Sequence, residues 1–137
     1  MSVATPVVTI KISATKWDVT VTVKVDEAGN VRNARAGEAD VWIEDTMETI
    51  PYLTLNSTAK VKTDANGQAT FRNADYPWLT GFDGPFGPNR FVAKASIPNV
   101  ASGEKVFFLT RTGWRDPDLE GEGLGSFGPF PDGRPAF

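Results

Sequence analysis

The chain contains neither cysteine nor histidine. Without cysteine there is no disulfide framework, no thiolate nucleophile and no sulfur-rich metal site. Without histidine the commonest general base and the commonest metal ligand are both missing. A serine or lysine nucleophile would therefore lack its usual activating partner. No run of about 18 apolar residues occurs, so no membrane-spanning helix is expected. Lys and Arg number 14 against 17 Asp and Glu, and they are interspersed rather than gathered in a basic stripe. That argues against duplex nucleic acid as a partner. The segment Met1–Pro6 has no basic region followed by an apolar core, so no signal peptide is expected. No segment carries a convincing helical period.

What is present is alternation. The 137 residues suit one domain able to bury about 65–70% of its unfolded surface. Val7, Thr9 and Lys11 alternate with Val8, Ile10 and Ile12, a first strand. Trp17, Val19, Val21, Val23 and Val25 share one face, opposite Asp18, Thr20, Thr22 and Lys24, a half-buried strand. Asp26 to Asn30 closes it as a turn, and Asn33 to Glu38 reads as a polar connection. Val41-Trp42-Ile43 and Tyr52-Leu53-Thr54-Leu55 are two more strands. Ala59, Val61 and Thr63 before Asn66-Gly67, with Ala69 and Phe71 after it, predict a hairpin. Phe91, Ala93 and Ala95 form another strand. Pro98 to Gly103 is a turn, and Val106 to Thr110 a last strand. These spacings predict an all-β antiparallel sandwich of about seven to eight strands over residues 1–112.

From Gly113 the character changes, and residues 113–137 are expected to form an extended tail rather than another strand pair. Asp116, Asp118, Glu120 and Glu122 alternate there. Oxygen ligands of this kind suit Ca²⁺, but the spacing lacks a calcium-loop pattern, so a solvated acidic linker is the expectation and no metal or cofactor is assigned. The remainder is rich in Gly and Pro, yet carries Phe127, Phe130 and Phe137. Solvated linkers are normally poor in aromatics. The long segment Asn73 to Asn89 is similar, with Trp78, Phe82 and Phe86 around Gly84-Pro85 and Gly87-Pro88. Loops of such length inside small domains tend to be functional.

The residues from Val19 to Leu109 resemble the bacterial Ig-like domains of the invasin and intimin type. The matching pieces are Val21-Thr22-Val23-Lys24-Val25-Asp26, Gly29-Asn30, Val41-Trp42-Ile43, Thr63-Asp64-Ala65-Asn66-Gly67-Gln68-Ala69-Thr70, Phe91-Val92-Ala93-Lys94-Ala95 and Val106-Phe107-Phe108. The resemblance implies an Ig-like β-sandwich. It also implies one of the roles such modules fill: spacer, adhesin or ornament of a virion. The aromatic loop and the segment after Thr112 depart from the pattern.

Each candidate residue has a plainer alternative. Trp17 and Trp42 lie in registers expected to point to the core. Trp78 and Trp114 lie at loop or strand-end positions, where a surface contact is as reasonable as packing. Seventeen acids allow carboxylate pairs on paper, but none flanks an evident cleft, so no catalytic residue is expected. Rigid aromatic side chains on kinked backbone suit docking, because they bury area at low entropic cost. Trp78, Phe82, Phe86, Trp114, Phe127, Phe130 and Phe137 are therefore the expected partner-binding set. The alternative is that the phenylalanines fold back on their own sandwich. The functional expectation is a non-enzymatic structural protein of a bacteriophage virion, made in the host cytoplasm. It would decorate the capsid by docking on the major capsid protein, on other virion subunits or on its own copies. The alternative is a cell-surface adhesin or carbohydrate-binding module with glycan affinity through Trp78 or Trp114. Neither nucleic acid nor membrane is an expected partner.

Overall fold

The computed structural model describes residues 5–15, 17–46, 54–81, 89–110, 113–115 and 124–126. These residues form eleven strands and no helix. The smaller sheet contains β1 (Val7–Thr15), β2 (Asp18–Glu27), β3 (Asn30–Asn33) and β7 (Gln68–Phe71). The larger sheet contains β4 (Asp40–Thr46), β5 (Thr54–Ser57), β6 (Val61–Lys62), β8 (Asn89–Ile97), β9 (Ala101–Leu109), β10 (Gly113–Arg115) and β11 (Leu124–Ser126). All pairings are antiparallel, and the two sheets pack as a sandwich, as the alternation predicts. The strand count exceeds the expectation because β3, β10 and β11, of three or four residues each, are too short to leave a periodic signal.

The core follows from period two. Val19, Val21, Val23 and Val25 of β2 are at most 1% exposed, and β1 sets Ala14, Ile12, Ile10 and Val8 beside them. Val41, Ile43, Phe91, Ala93, Ala95, Phe107 and Leu109 close the core from the other sheet. Each fully buried Val, Leu or Phe contributes about 1.5–3 kcal/mol through removal of apolar surface from water.

Both central strands share one edge between two short neighbours. β2 pairs with β7 over Val19–Thr22 and with β3 over Lys24–Glu27. Val23 falls in the gap. Its amide donates to the Gly67 carbonyl at 2.8 Å, and its carbonyl accepts the Ala34 amide at 2.9 Å. In the other sheet β4 pairs with β6 over Asp40–Val41 and with β5 over Glu44–Thr46. Ile43 falls in that gap. Thr58 serves it twice: the Ile43 amide donates to the Thr58 hydroxyl at 2.9 Å, and the Thr58 amide donates to the Ile43 carbonyl at 2.9 Å. Each gap is thus closed by loop residues that satisfy otherwise unmatched backbone groups.

Four expectations need correction. The Asn66-Gly67 turn does not join two paired strands. Its local bonds are those of a tight turn: the Asp64 carboxylate accepts the Asn66 and Gln68 amides at 2.8 and 2.9 Å. Yet β6 before it pairs with β4 and β7 after it with β2, so the turn carries the chain between sheets. Accordingly Thr63 is buried while Val61 is exposed. Trp42 does not face the core. Val41 and Ile43 are both fully buried, so the residue between them points outward. The turn after β8 ends at Val100, and Gly103 lies inside β9 opposite Ala95. A Cβ at Gly103 would stand 2.4 Å from the Val8 carbonyl oxygen, so this glycine permits close packing of β9 on β1. Finally, the stretch past residue 112 is not free of strand pairing. β10 pairs with β9 through Trp114 and Leu109, and β11 pairs with β10.

Candidate functional site

The end of the sandwich where the two expected docking segments leave the fold is built around Trp17. This residue sits in the β1–β2 turn with φ of 68°, in the left-handed region that costs most residues free energy. The turn places the indole against the core, and its Nε1 donates to the Thr110 carbonyl at 3.0 Å across 93 positions of sequence. Gly81 fills the space between them. A Cβ there would lie 1.7 Å from the Thr110 oxygen and 2.5 Å from Trp17 Nε1. Gly81 is the last described residue before Phe82, and Thr110 the last before residue 111. Asn89, on the far side of the aromatic loop, pairs with Leu109. Ser126, the last described residue before Phe127, lies opposite Gly113, whose carbonyl accepts the Thr110 amide at 2.9 Å, so the roots of both segments meet at one place.

Residues 73–81 are the described part of the expected loop. The Asp75 and Tyr76 amides both donate to the Arg72 carbonyl at 3.0 Å, and the Leu79 amide to the Tyr76 carbonyl at 2.8 Å. Asn73 ties this turn down twice: its backbone amide donates to the Asp18 carboxylate at 2.9 Å and its side-chain amide to the Leu79 carbonyl at 2.8 Å. Leu79 is fully buried. An aromatic series passes through the segment into the core. Phe71 to Tyr76 spans 6.4 Å between ring centroids, Tyr76 to Trp78 5.8 Å, Trp78 to Phe91 6.2 Å and Phe91 to Phe107 5.5 Å. Such pairs add about 0.5–1.5 kcal/mol each beyond area burial.

Trp78 and Trp114 are thus both half-buried and packed against the core, with part of each surface still open. Trp114 is held by β10 beside Leu109, and Arg115 on the same strand lies 5.9 Å from the Phe108 ring centroid. Phe82, Phe86, Phe127, Phe130 and Phe137 lie outside the described residues, as do Asp116, Asp118, Glu120 and Glu122. Among the described residues, no cluster of three or more acids has metal-binding spacing.

A second polar cluster, on the outer face of the larger sheet, escaped the sequence-based expectation. Glu44 of β4 accepts the Trp42 indole N–H at 2.8 Å, the Thr54 hydroxyl at 2.8 Å and the Lys94 ammonium at 3.0 Å. Burial alone would raise the Glu44 pKa, but the Trp42, Lys94 and Thr54 donors outweigh it and hold the carboxyl below the ordinary glutamate range. Lys60 approaches from the β5–β6 side, 4.8 Å from the Trp42 ring centroid. Burial raises the neighbouring Asp45 carboxyl, an effect partly offset by a bond from Asn56. The signal for an outward Trp42 was present in the sequence as its two β-branched neighbours, Val41 and Ile43.

At the opposite flank, Arg32 grips Glu38 with two parallel bonds of 2.7 and 2.8 Å and also reaches Glu27. The Arg32 bonds hold the Glu38 carboxyl at about 2, despite the opposing cost of its burial. This triad pins the β3–β4 connection and lines none of the depressions described below.

Comparison with family models, with curated proteins and with solved structures finds no match to this chain.

Proposed function

We propose that this protein is a non-enzymatic structural component of a bacteriophage virion, which attaches to neighbouring subunits through its aromatic segments. The observation that carries the proposal is the convergence at Trp17, Gly81 and Thr110. The loop bearing Phe82 and Phe86 and the C-terminal stretch bearing Phe127, Phe130 and Phe137 spring from the same end of a rigid sandwich. Two aromatic segments with a shared, fixed origin can engage one partner at the same time, which raises their joint affinity without any new contact. Trp78 and Trp114 flank that origin and add half-open apolar surface to it.

The chemistry of the remaining surface supports a binding role. Among the described residues, no buried side-chain nitrogen or oxygen lacks a hydrogen-bond partner. The carboxylates with shifted pKa values, Glu38, Glu44 and Asp45, are engaged by Arg32, by Trp42, Lys94 and Thr54, and by Asn56. They act as structural anchors rather than as groups poised for proton transfer. The role in a virion draws on the resemblance to Ig-like domains and on the paired docking segments. Particles purified on a density gradient from a lysing culture that carries the gene are expected to contain the chain. Its absence from such particles would contradict the proposal.

A further inference from the structure

We infer that the outer face of the larger sheet carries a glycan-binding groove, with the Trp42 indole as its stacking platform. The inference is independent of the virion proposal, because it concerns a different face and different residues.

Two adjoining depressions cross β4, β8 and β9. One, of about 440 Å³, is lined by Trp42, Lys94, Ala95, Ser102, Gly103 and Glu104. The other, of about 170 Å³, extends from Lys94 and Glu104 over Val92 and Val106 to Arg90 and Thr46. They share Lys94 and Glu104, so they form one groove. The larger falls within the range of about 300–1,000 Å³ usual for small-ligand sites.

Register explains the lining. Trp42, Lys94 and Glu104 lie opposite one another across three strands, Glu44, Val92 and Val106 form the next row, and Thr46, Arg90 and Phe108 the one after. The indole is fixed before any ligand arrives: Glu44 holds its N–H and Lys60 covers it from the β5–β6 side. The groove runs from Trp42 toward β8 and β9, away from Lys60. A preoriented ring with its polar edge already satisfied offers an apolar face at little entropic cost.

Three features favour a sugar. Acids and cations alternate in the lining (Glu44, Arg90, Lys94 and Glu104), so no net field selects an ion, while each group is a strong partner for a hydroxyl. Ser102, Thr46 and Thr54 add hydroxyls of their own. The central strand of the groove, β8, is paired along both edges, with β4 and with β9, so a polypeptide strand has no edge to join there. Aromatic stacking beside bidentate polar groups is the recognition that a hexose, with an apolar face and a rim of hydroxyls, requires.

The test is isothermal titration of the full chain with cello-, chito-, malto- and manno-tetraose and with tetragalacturonate, each separately. At least one is expected to bind saturably. Trp42→Ala should weaken that binding about tenfold or more, the loss of a stacking contact worth roughly 1.4 kcal/mol. Trp114→Ala should leave it within about twofold, since Trp114 lies at the docking end. Thermal melting checks that Trp42→Ala is folded. Glu104→Gln, at an exposed position, provides a second variant and should weaken binding without lowering the melting temperature. Failure of all five oligosaccharides to bind, equal binding by Trp42→Ala, or a loss produced by Trp114→Ala instead would each overturn the inference.

Discussion

The Gly67 carbonyl accepts the Val23 amide at 2.8 Å, at the point where β7 stops and β3 has not yet begun along the edge of β2. Gly67 itself has φ of 73°, and a Cβ on it would lie 2.8 Å from the Ala34 nitrogen and 2.9 Å from the Val23 oxygen. The turn and the closure of the sheet edge therefore depend on the same residue. Gly67→Ala is expected to destabilise the fold by about 1–3 kcal/mol through left-handed strain together with this close approach. Urea denaturation measures it. A midpoint unchanged from the parent would show that the gap at Val23 can close without this contact.

Thr58 plays the equivalent part in the larger sheet, with its hydroxyl receiving the Ile43 amide. Thr58→Val keeps the shape but leaves that buried amide without an acceptor, a loss of about 1–3 kcal/mol. Thr58→Ser retains the oxygen and should recover most of it. Equal stability of the valine and serine variants would deny the hydroxyl its role.

These two gaps also show what could be read from the chain before its structure. Val19 to Val25 declare their buried face by strict alternation and are buried as expected; Phe91, Ala93 and Ala95 are buried as expected too, although Val92 on the other face is also buried. The sandwich follows from such strands. The destination of a strand does not. Asp64, Asn66 and Gly67 specify a tight turn whether the flanking strands pair with each other or with β4 and β2. That choice rests on the Thr63 bonds to Ala39 and Arg35, contacts between residues more than twenty positions apart. The same limit hid the Trp17–Thr110 bond, since nothing local in either residue announces the other. Trp42 was different. Its outward direction was legible from Val41 and Ile43, and the large apolar ring obscured it.

At the end of the sandwich built around Trp17, Trp17→Phe preserves a ring but removes the indole donor to Thr110. The expected loss is about 1 kcal/mol in stability. Gly81→Ala forces the backbone away from the Thr110 carbonyl, since the new methyl would overlap it. It is expected to cost more than Trp17→Phe and to weaken particle attachment. Chemical denaturation and a co-sedimentation assay report the two effects separately. A Gly81→Ala protein of parental stability would remove the fixed origin on which the functional proposal rests.

Acid should release the Arg32–Glu38 pair. The Glu38 pKa is lowered from 4.5 to about 2 in the folded protein. A depressed carboxylate stabilises the fold above its unfolded pKa, and that stabilisation is lost as pH falls from about 4.5 to about 2. Asp45, whose pKa burial raises, acts in the opposite sense. Glu38→Gln is expected to be less stable than the parent by about 1 kcal/mol at neutral pH, a partly exposed ion pair being worth little more. The gap should narrow through that acid window. Parallel curves for the two proteins down to pH 2 would assign the acid response to other groups.

The most direct test of the docking account compares the parent chain with a Phe127→Ser/Phe130→Ser/Phe137→Ser variant on gradient-purified particles. Circular dichroism first establishes that both retain the sandwich. The account predicts that the parent sediments with the particles and the triple variant stays in the soluble fraction. Equal sedimentation of the two, or a parent that never leaves the soluble fraction, would contradict it.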